Sequence, residues 1–370
     1  MLQRDAPLSD PAALGADADR LGRCNEAEKL AGILLKRMLG DKDGSFVLAI
    51  SGPWGTGKTT FGEYLAYYLR RDGGANGPEI LRCRLWLSAH RGHVLRGFLE
   101  TMSTHAGSNA LGVLDQHTDT QAVMLTALVR AELPEKPPRE ETVAVLGDLA
   151  RVSEELRKLE RRVVVYLDDV DRLGLDEMRT FLWLLKTVTG LPGVCFVVMW
   201  DGPLVAKMIG KDFPHRGDDY LARIVDVTYE LSRPAPEMIW KALCEYLDAS
   251  DDGPWEDSLR PVRAAGLGQL VTTLRQAKRV CNSVRVTMAT RDCQDRGLLL
   301  ALEGLRVLQS AVFDSLGRNP DGFVDGSWNS TGVVKKWVAA ENRQAVSELL
   351  GWTRATLDTG ERKAQFLACL

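Results

Sequence analysis

The chain alternates short apolar runs with segments in which apolar residues recur at helical spacing. Five of the apolar runs are typical of strands: Ser45–Ile50, Glu79–Leu87, Val163–Leu167, Val194–Trp200 and Val225–Leu231. Consecutive apolar positions predict strands that are buried on both faces, as in a parallel sheet. Between two of these runs, residues 142–162 carry a helical apolar face that includes Val145, Leu149, Val152 and Leu156. The pattern therefore predicts an α/β fold.

Strand patterns become scarce after Pro236, and the rest of the chain has largely helical periodicity. The stretch Ser232–Pro236, SRPAP, has the composition of a loop. Because 370 residues are many for a single compact core, we place a domain boundary near Ser232. Within the helical part, Gly297–Leu316 is amphipathic, and its apolar face suits either the core, which is the default, or a partner surface.

Composition is that of an ordinary globular protein, with 45% hydrophobic and 26% charged residues and a net charge of −3. This balance gives no general reason to bind nucleic acid, although a local basic face would not be visible in the sum. The seven cysteines are odd in number and never spaced as CxxC, which argues against a disulfide framework or a zinc knuckle. No apolar run is long enough to cross a bilayer, so we expect a cytoplasmic protein without a membrane span.

A glycine-rich stretch, GPWGTGKTT, separates the first predicted strand from a helix and satisfies GxxxxGK[ST]. Such a loop turns its main-chain N–H groups inward to bind phosphate, and the helix that follows adds its positive end. Lys58 would reach the β- and γ-phosphates, and the Thr59 hydroxyl would bind Mg²⁺. Only main-chain amides are needed before Lys58, so the ring of Trp54 can turn outward. The predicted nucleotide-binding residues here are Gly52, Pro53, Trp54, Gly55, Thr56, Gly57, Lys58, Thr59 and Thr60.

An acidic cluster, LDDVDR, follows the third predicted strand. Asp168 comes directly after the strand, where a carboxylate can hold Mg²⁺. Asp169 and Asp171 are both candidates for orienting the attacking water, and the sequence does not decide between them. Adjacent residues at a strand end point to opposite sides, so we expect Asp168 and Asp169 to have different roles.

The two motifs together resemble those of the KAP family of P-loop NTPases, GxWGxGK[ST] and hhhhDDxDR, which makes Trp54 a family mark. The resemblance extends from about Asp17 to Val284. It implies a P-loop NTPase sheet in the order 5-1-4-3-2, flanked by helices, with a helical C-terminal lid domain. In many relatives, transmembrane helices lie between the two motifs, and none is predicted here. Leu274 stands where the lid motif usually has proline.

The resemblance also implies roles for single residues. It places Leu21, Gly22 and Arg23 near the adenine. It makes Asp201 sensor 1, Arg223 an arginine finger and Arg275 sensor 2. The chain contains no Lys-x-Asp, the pattern with which many GTPases select guanine, so we expect ATP as the nucleotide, with Mg²⁺.

These observations predict three parts: an N-terminal helical segment that contributes to the nucleotide site (1–44), a P-loop NTPase core (45–232), and a helical lid and C-terminal region (233–370). The favoured function is a KAP-type ATPase that hydrolyses Mg-ATP as a conformational switch or motor subunit. The family resemblance implies protein partners or a homo-oligomer, and a role in bacterial defence against phage or plasmids. The alternative is a nucleotide-gated scaffold with negligible turnover. A small-molecule kinase is disfavoured, because the acidic cluster suits activation of water.

Overall fold

A computed structural model gives the structure of the chain. The residues that it describes are 19–40, 45–74, 77–83, 162–188, 192–210, 217–248, 255–291, 295–357 and 360–370. They form two compact units, one before Pro234 and one from Pro234 onward. We call them the sheet unit and the helical unit. The division into three parts that the sequence predicts, with boundaries at 44 and 232, stays a prediction.

The strands of the sheet unit form one five-stranded sheet in the order β2-β3-β4-β1-β5. All neighbouring strands are parallel, which confirms the predicted fold class and strand order. At the end of β1, Ser51 pairs with Trp200 of β4 on one side and with Glu230 of β5 on the other. The strands are β1 (Phe46–Ser51), β2 (Glu79–Cys83), β3 (Val163–Leu167), β4 (Val194–Trp200) and β5 (Val227–Glu230).

Each of the three central strands is buried along its whole length. Because side chains alternate along a strand, successive residues contribute to two different cores. Leu48 and Ile50 face the core that α1 and α2 cover, whereas Val47 and Ala49 face the core on the other side. The helices of this unit are α1 (Cys24–Gly40), α2 (Lys58–Gly73), α3 (Leu175–Val188), α4 (Gly202–Ile209) and α5 (Gly217–Leu221).

Strand boundaries differ slightly from those predicted. The first strand begins and ends one residue later than predicted. Strand β5 begins at Val227 rather than Val225. At its start the Asp226 carboxylate, 2.7 Å away, accepts the N–H of Val47, so a side chain takes the place of a main-chain partner. The second strand was predicted to reach Leu87. Residues 84–87 lie outside the described residues, as does the predicted helix before Arg162.

Helices make up the regular structure of the described helical unit, and a short π-helical turn at Arg263–Leu267 interrupts them. At Gly266 (φ 115°) the main chain passes very close to a later helix: a Cβ atom there would lie 2.3 Å from the Ala345 carbonyl oxygen. The helices are α6 (Pro236–Asp248), α7 (Glu256–Val262), α8 (Leu274–Thr290), α9 (Arg296–Leu308), α10 (Ser310–Arg318), α11 (Pro320–Asp325), α12 (Ser330–Trp337), α13 (Arg343–Ala355) and α14 (Gly360–Cys369), with a helical turn at Gly268–Leu270.

The amphipathic segment Gly297–Leu316 is divided between α9 and α10. The break falls at Gln309, whose backbone leaves the helical conformation. Helix α9 is buried from Gly297 to Leu305, which is more than one face, so it lies inside the unit. Its buried stretch includes a carboxylate, Glu303, whose side chain is fully buried.

Glu303 has a complete set of polar partners. It accepts hydrogen bonds from the hydroxyl groups of Ser283 and, at 2.9 Å, Thr287, and it pairs with Arg306 at 3.3 Å. Both hydroxyl groups belong to α8, so Glu303 connects α8 with α9. A buried charge is tolerated when it is paired and hydrogen-bonded in this way.

Two further expectations concern cysteines and membranes. Cys369 is disulfide-bonded, a single bond that the expectation of no disulfide framework did not foresee. That expectation depended on spacing alone, and spacing does not report which thiols the fold brings together. None of the helices in the described part of the chain has the length and apolar character needed to cross a bilayer.

Candidate functional site

The glycine-rich loop, Gly52–Thr59, connects the end of β1 with the start of α2 and lies at the carboxyl edge of the sheet. Gly55 and Gly57 have positive φ angles of 86° and 91°, which side-chain-bearing residues rarely adopt. Thr56 closes the turn from inside, since its hydroxyl donates to the Pro53 carbonyl at 2.8 Å. The predicted strand, loop and helix are all present. We refer to this segment as the phosphate loop.

Trp54 points away from the phosphate loop, and 70% of its surface is exposed. Its ring lies 5.9 Å from the guanidinium carbon of Arg172. A large residue at this position therefore leaves free the space enclosed by the main chain. This outward orientation is the one that we expected from the sequence.

Lys58 is the first residue of α2, and its side chain folds back over the loop. Its Nζ donates to the Gly52 carbonyl at 2.8 Å and to the Pro53 carbonyl at 3.4 Å. It also lies 3.4 Å from Oδ2 of Asp171. Both partners in this ion pair are largely buried, which strengthens their interaction relative to one in water. The fold thus brings together a lysine and an aspartate that the sequence predicted for one site.

Thr59 and Asp168 form a second pair, in which the Thr59 hydroxyl donates to Oδ2 of Asp168 at 2.8 Å. Burial raises the pKa of the Asp168 carboxyl, and hydrogen bonds from Thr59 and from the Asp169 N–H act against that rise. Hydroxyl and carboxylate oxygens are ligands that Mg²⁺ prefers. The donor set therefore fits the predicted metal site.

Asp169 points elsewhere, and its backbone explains why. Its φ angle is 57°, in the left-handed region. Its Oδ1 lies 3.0 Å from Nε of Arg172, within the turn that follows. Asp169 and Asp168 thus contact different partners, although the cause is this turn and not the alternation of a strand, since β3 has already ended at Leu167.

Asp171 connects the phosphate loop with the end of β4. Its Oδ2 accepts the main-chain N–H of Asp201 at 3.1 Å, in addition to contacting Lys58. The carboxylate of Asp201 caps α4 by accepting the N–H of Leu204 at 3.2 Å. The predicted sensor 1 residue therefore lies beside the acidic cluster, and its predicted role stays a prediction.

Arg23, predicted near the adenine, is 5% exposed and lies against the phosphate loop. Its guanidinium donates to two main-chain carbonyls, those of Thr56 and, at 2.7 Å, Ser232. Gly22 precedes it with a φ angle of 66°. Sequence reasoning missed this pair of contacts because they join residues far apart in the chain. No local motif reports such a separation.

The roles of three further residues remain predictions. Thr60 lies in the first turn of α2 and is partly exposed. Arg223, the predicted arginine finger, is exposed just after α5 in the sheet unit. Arg275, the predicted sensor 2, is exposed in the first turn of α8 in the helical unit.

The family model described as the KAP family P-loop domain matches residues 23–291, which is more than half of the chain. The chain belongs to the KAP family. Its glycine-rich loop and acidic cluster are therefore those of a nucleotide-binding P-loop NTPase. A search of curated proteins finds no match.

Several solved structures are similar to this KAP family member in fold. The Aeropyrum pernix ORC2 protein in its ADPNP-ADP complexes is 13% identical, with 91% of this chain and 82% of that chain covered and a TM-score of 0.49. The Thermotoga maritima RuvB Holliday junction branch migration motor is also 13% identical, with coverage of 90% and 87% and a TM-score of 0.37. At these values the similarities carry no statement about activity.

Proposed function

We propose that this KAP family member is a Mg²⁺-dependent ATPase in which bound nucleotide acts as a conformational switch. One observation carries the proposal: two residues of the phosphate loop each contact an aspartate of the acidic cluster. The Thr59 hydroxyl lies 2.8 Å from Asp168, and the Lys58 ammonium lies 3.4 Å from Asp171. The chemistry of phosphoryl transfer needs these groups around one polyphosphate and its metal.

Each group has a distinct part in this proposal. Main-chain N–H groups of Gly52–Thr59 bind the phosphate oxygens, and Lys58 adds a positive charge at the β- and γ-phosphates. Thr59 and Asp168 hold Mg²⁺, which supplies charge neutralisation for the transferred phosphoryl group. The absence of Lys-x-Asp from the sequence supports ATP rather than GTP as the nucleotide.

Orientation of the attacking water falls to Asp169 or Asp171. Asp171 is the more buried of the two, with 10% of its side chain exposed against 26% for Asp169. It also contacts Lys58, the proposed partner of the γ-phosphate, whereas Asp169 contacts Arg172, and this difference supports Asp171. We therefore assign the water to Asp171, once nucleotide has drawn Lys58 away from it.

The test is release of phosphate from Mg-ATP by the purified chain, together with ATP affinity by calorimetry. We expect turnover that requires Mg²⁺, and Lys58→Ala should reduce it by about 100-fold or more because an electrostatic group for the developing charge is lost. The matched control is Lys207→Ala, an exposed lysine of α4. If the wild-type chain bound no ATP, or if Lys58→Ala turned over ATP as fast as the wild type, the proposal would be wrong.

A scaffold that binds nucleotide without turnover is the second candidate, and one observation favours it. Each aspartate of the acidic cluster already has a polar partner: Thr59 for Asp168, Arg172 for Asp169 and Lys58 for Asp171. None is left over to orient water unless the site rearranges. Tight ATP binding without phosphate release, alone or with the products of neighbouring genes, would favour the scaffold over the ATPase.

Partners and pathway complete the proposal. By family resemblance we propose a cytoplasmic protein that acts with protein partners or further copies of itself, in defence against phage or plasmids.

Arg223 would act as an arginine finger, and Arg275 as a sensor of the γ-phosphate. Mixing Arg223→Ala with Lys58→Ala chains tests whether the finger acts between subunits. Recovery of activity in the mixture would show that it does.

A further inference from the structure

Arg23 is a buried cation whose recorded hydrogen bonds, among the described residues, go to main-chain carbonyls. One terminal nitrogen donates to Thr56 and the other to Ser232. Burial lowers the pKa of the Arg23 guanidinium, and the nearby carboxylates of Glu26 and Asp19 act in the opposite direction. Burying a charge costs free energy unless hydrogen bonds or opposite charges compensate it, and here two main-chain carbonyls accept hydrogen bonds from the guanidinium. By binding both carbonyls, the guanidinium fixes the positions of two main-chain segments relative to each other.

The first carbonyl belongs to the peptide that joins Thr56 to Gly57. The described peptide bonds are all trans, so the C=O of Thr56 and the N–H of Gly57 point in opposite directions. Because Arg23 binds the C=O, the N–H of Gly57 must point to the other side of the peptide. A phosphate loop binds an anion through main-chain amides whose carbonyls are directed away from it.

Gly57 fixes the same arrangement from its own side. Its φ angle of 91° is one that a glycine adopts without strain, and a Cβ atom there would lie 3.2 Å from Nη1 of Arg23. The space that a side chain would need is thus partly taken by the guanidinium. The contact therefore depends on both residues: Arg23 supplies the guanidinium, and Gly57 leaves room for it because it has no side chain.

The second carbonyl is that of Ser232, just after β5. Neighbouring contacts hold this segment against the start of the phosphate loop: the N–H of Leu231 donates to the Ser51 carbonyl at 2.7 Å. A guanidinium has two terminal nitrogens in a rigid plane, so one side chain can bind two carbonyls at a fixed separation. A lysine ammonium has no such fork.

We propose that Arg23 is a positioning residue, which aims the Gly57 N–H at the bound polyphosphate and ties that peptide to the backbone at Ser232. The inference rests on the proposed nucleotide binding, and it deepens that function. It differs from the contact with adenine that family resemblance implies, because it gives Arg23 no contact with the base. Phosphate binding and base preference therefore separate the two roles.

The experiment measures the affinities of ATP, AMP and GTP, with Mg²⁺, for the wild type, Arg23→Gln and Arg23→Lys. For Arg23→Gln we expect ATP to bind about 10-fold more weakly or worse, the range for a lost hydrogen bond to a charged group. AMP lacks the β- and γ-phosphates, so its affinity should change by less than about threefold, and the ratio of ATP to GTP affinity should stay the same. Arg23→Lys should recover part of the loss, because its ammonium reaches one carbonyl.

Arg71→Gln is the matched control, since Arg71 is a half-exposed arginine of α2 that pairs with Glu28 and Asp72. It should leave all three affinities unchanged. An equal loss of ATP and AMP affinity in Arg23→Gln, or a changed preference between ATP and GTP, would overturn the inference in favour of a contact with the base. Unchanged ATP affinity would also overturn it, while leaving the proposed function intact as long as the wild type binds ATP.

Hydrogen exchange on the wild-type chain covers the case in which the Arg23 variants do not fold. Saturating Mg-ATP should slow amide exchange in the phosphate loop and also in the peptide that contains Leu231 and Ser232, since Arg23 joins them. If ATP protected the loop and left the second peptide unchanged, the connection through Arg23 would be refuted. A chain that binds no ATP at all would instead contradict the proposed function first.

Discussion

The two units each contain a buried charged side chain, and the two side chains differ in the kind of partner that they contact. Lys58 in the sheet unit is 8% exposed, and Glu303 in the helical unit is fully buried. Lys58 contacts two carbonyls of its own loop and one aspartate. Glu303 contacts two hydroxyl groups of α8 and an arginine of its own helix. Both charges are paired, as buried charges must be.

The difference lies in whether another group could replace the partners. A phosphate can take the place of the carbonyls around Lys58, because it offers oxygen acceptors with a full negative charge. A ligand has no such access to Glu303, because its side chain is fully buried against the hydroxyl groups of α8. Lys58 is therefore suited to exchange of partners, and Glu303 to holding two helices together. The predictions below test this distinction, from the largest expected effect to the smallest.

Asp168→Asn should reduce phosphate release by about 100-fold or more, because an amide is a much weaker ligand of Mg²⁺ than a carboxylate. Stability should change little, since the amide oxygen can still accept the Thr59 hydroxyl. Steady-state hydrolysis and thermal unfolding measure the two effects on one preparation. Asp176→Asn, at the partly exposed start of α3, is the control. A variant that lost stability instead of turnover would place Asp168 with Glu303 rather than with Lys58.

Glu303→Gln should reduce stability and leave turnover nearly unchanged. It lowers the free energy of unfolding by about 2 kcal/mol, because a buried, charged acceptor for two hydroxyl groups and one guanidinium becomes neutral. Denaturant or thermal unfolding measures the loss. Hydrolysis well below the unfolding temperature should stay within about twofold of wild type. Glu341→Gln, an exposed residue before α13, should show neither effect. Loss of turnover without loss of stability would contradict a purely structural role.

Trp54→Ala should have the smallest effect. The ring is largely exposed, and binding at this position needs only the main chain, so the free energy of unfolding should change by less than about 0.5 kcal/mol. ATP affinity should stay within about threefold. Calorimetry and thermal unfolding check both values. A tenfold loss of affinity would show that the Trp54 ring, or its contact with Arg172, takes part in binding.

How far the sequence predicts the site depends on how local each contact is. Lys58 and Thr59 follow from the spacing of one loop, and Asp168 follows from its position just after a buried strand. The conformation of Asp169 could not be predicted in this way, because alternation applies within a strand and β3 ends at Leu167. The contacts of Arg23 were also invisible, since one partner is a carbonyl that only folding brings near. Strand order came from family resemblance, and burial patterns alone would not have given it.

The close passage of the main chain at Gly266 has a consequence for how this chain can diverge. A single-base change in a glycine codon that neither is silent nor stops the chain brings in a residue with a Cβ atom. Any such atom at position 266 would collide with the carbonyl of Ala345, and the φ angle of 115° at this position is unfavourable for a residue with a side chain. Substitution of Gly266 is therefore strongly disfavoured, and compensation would require the α13 backbone to move.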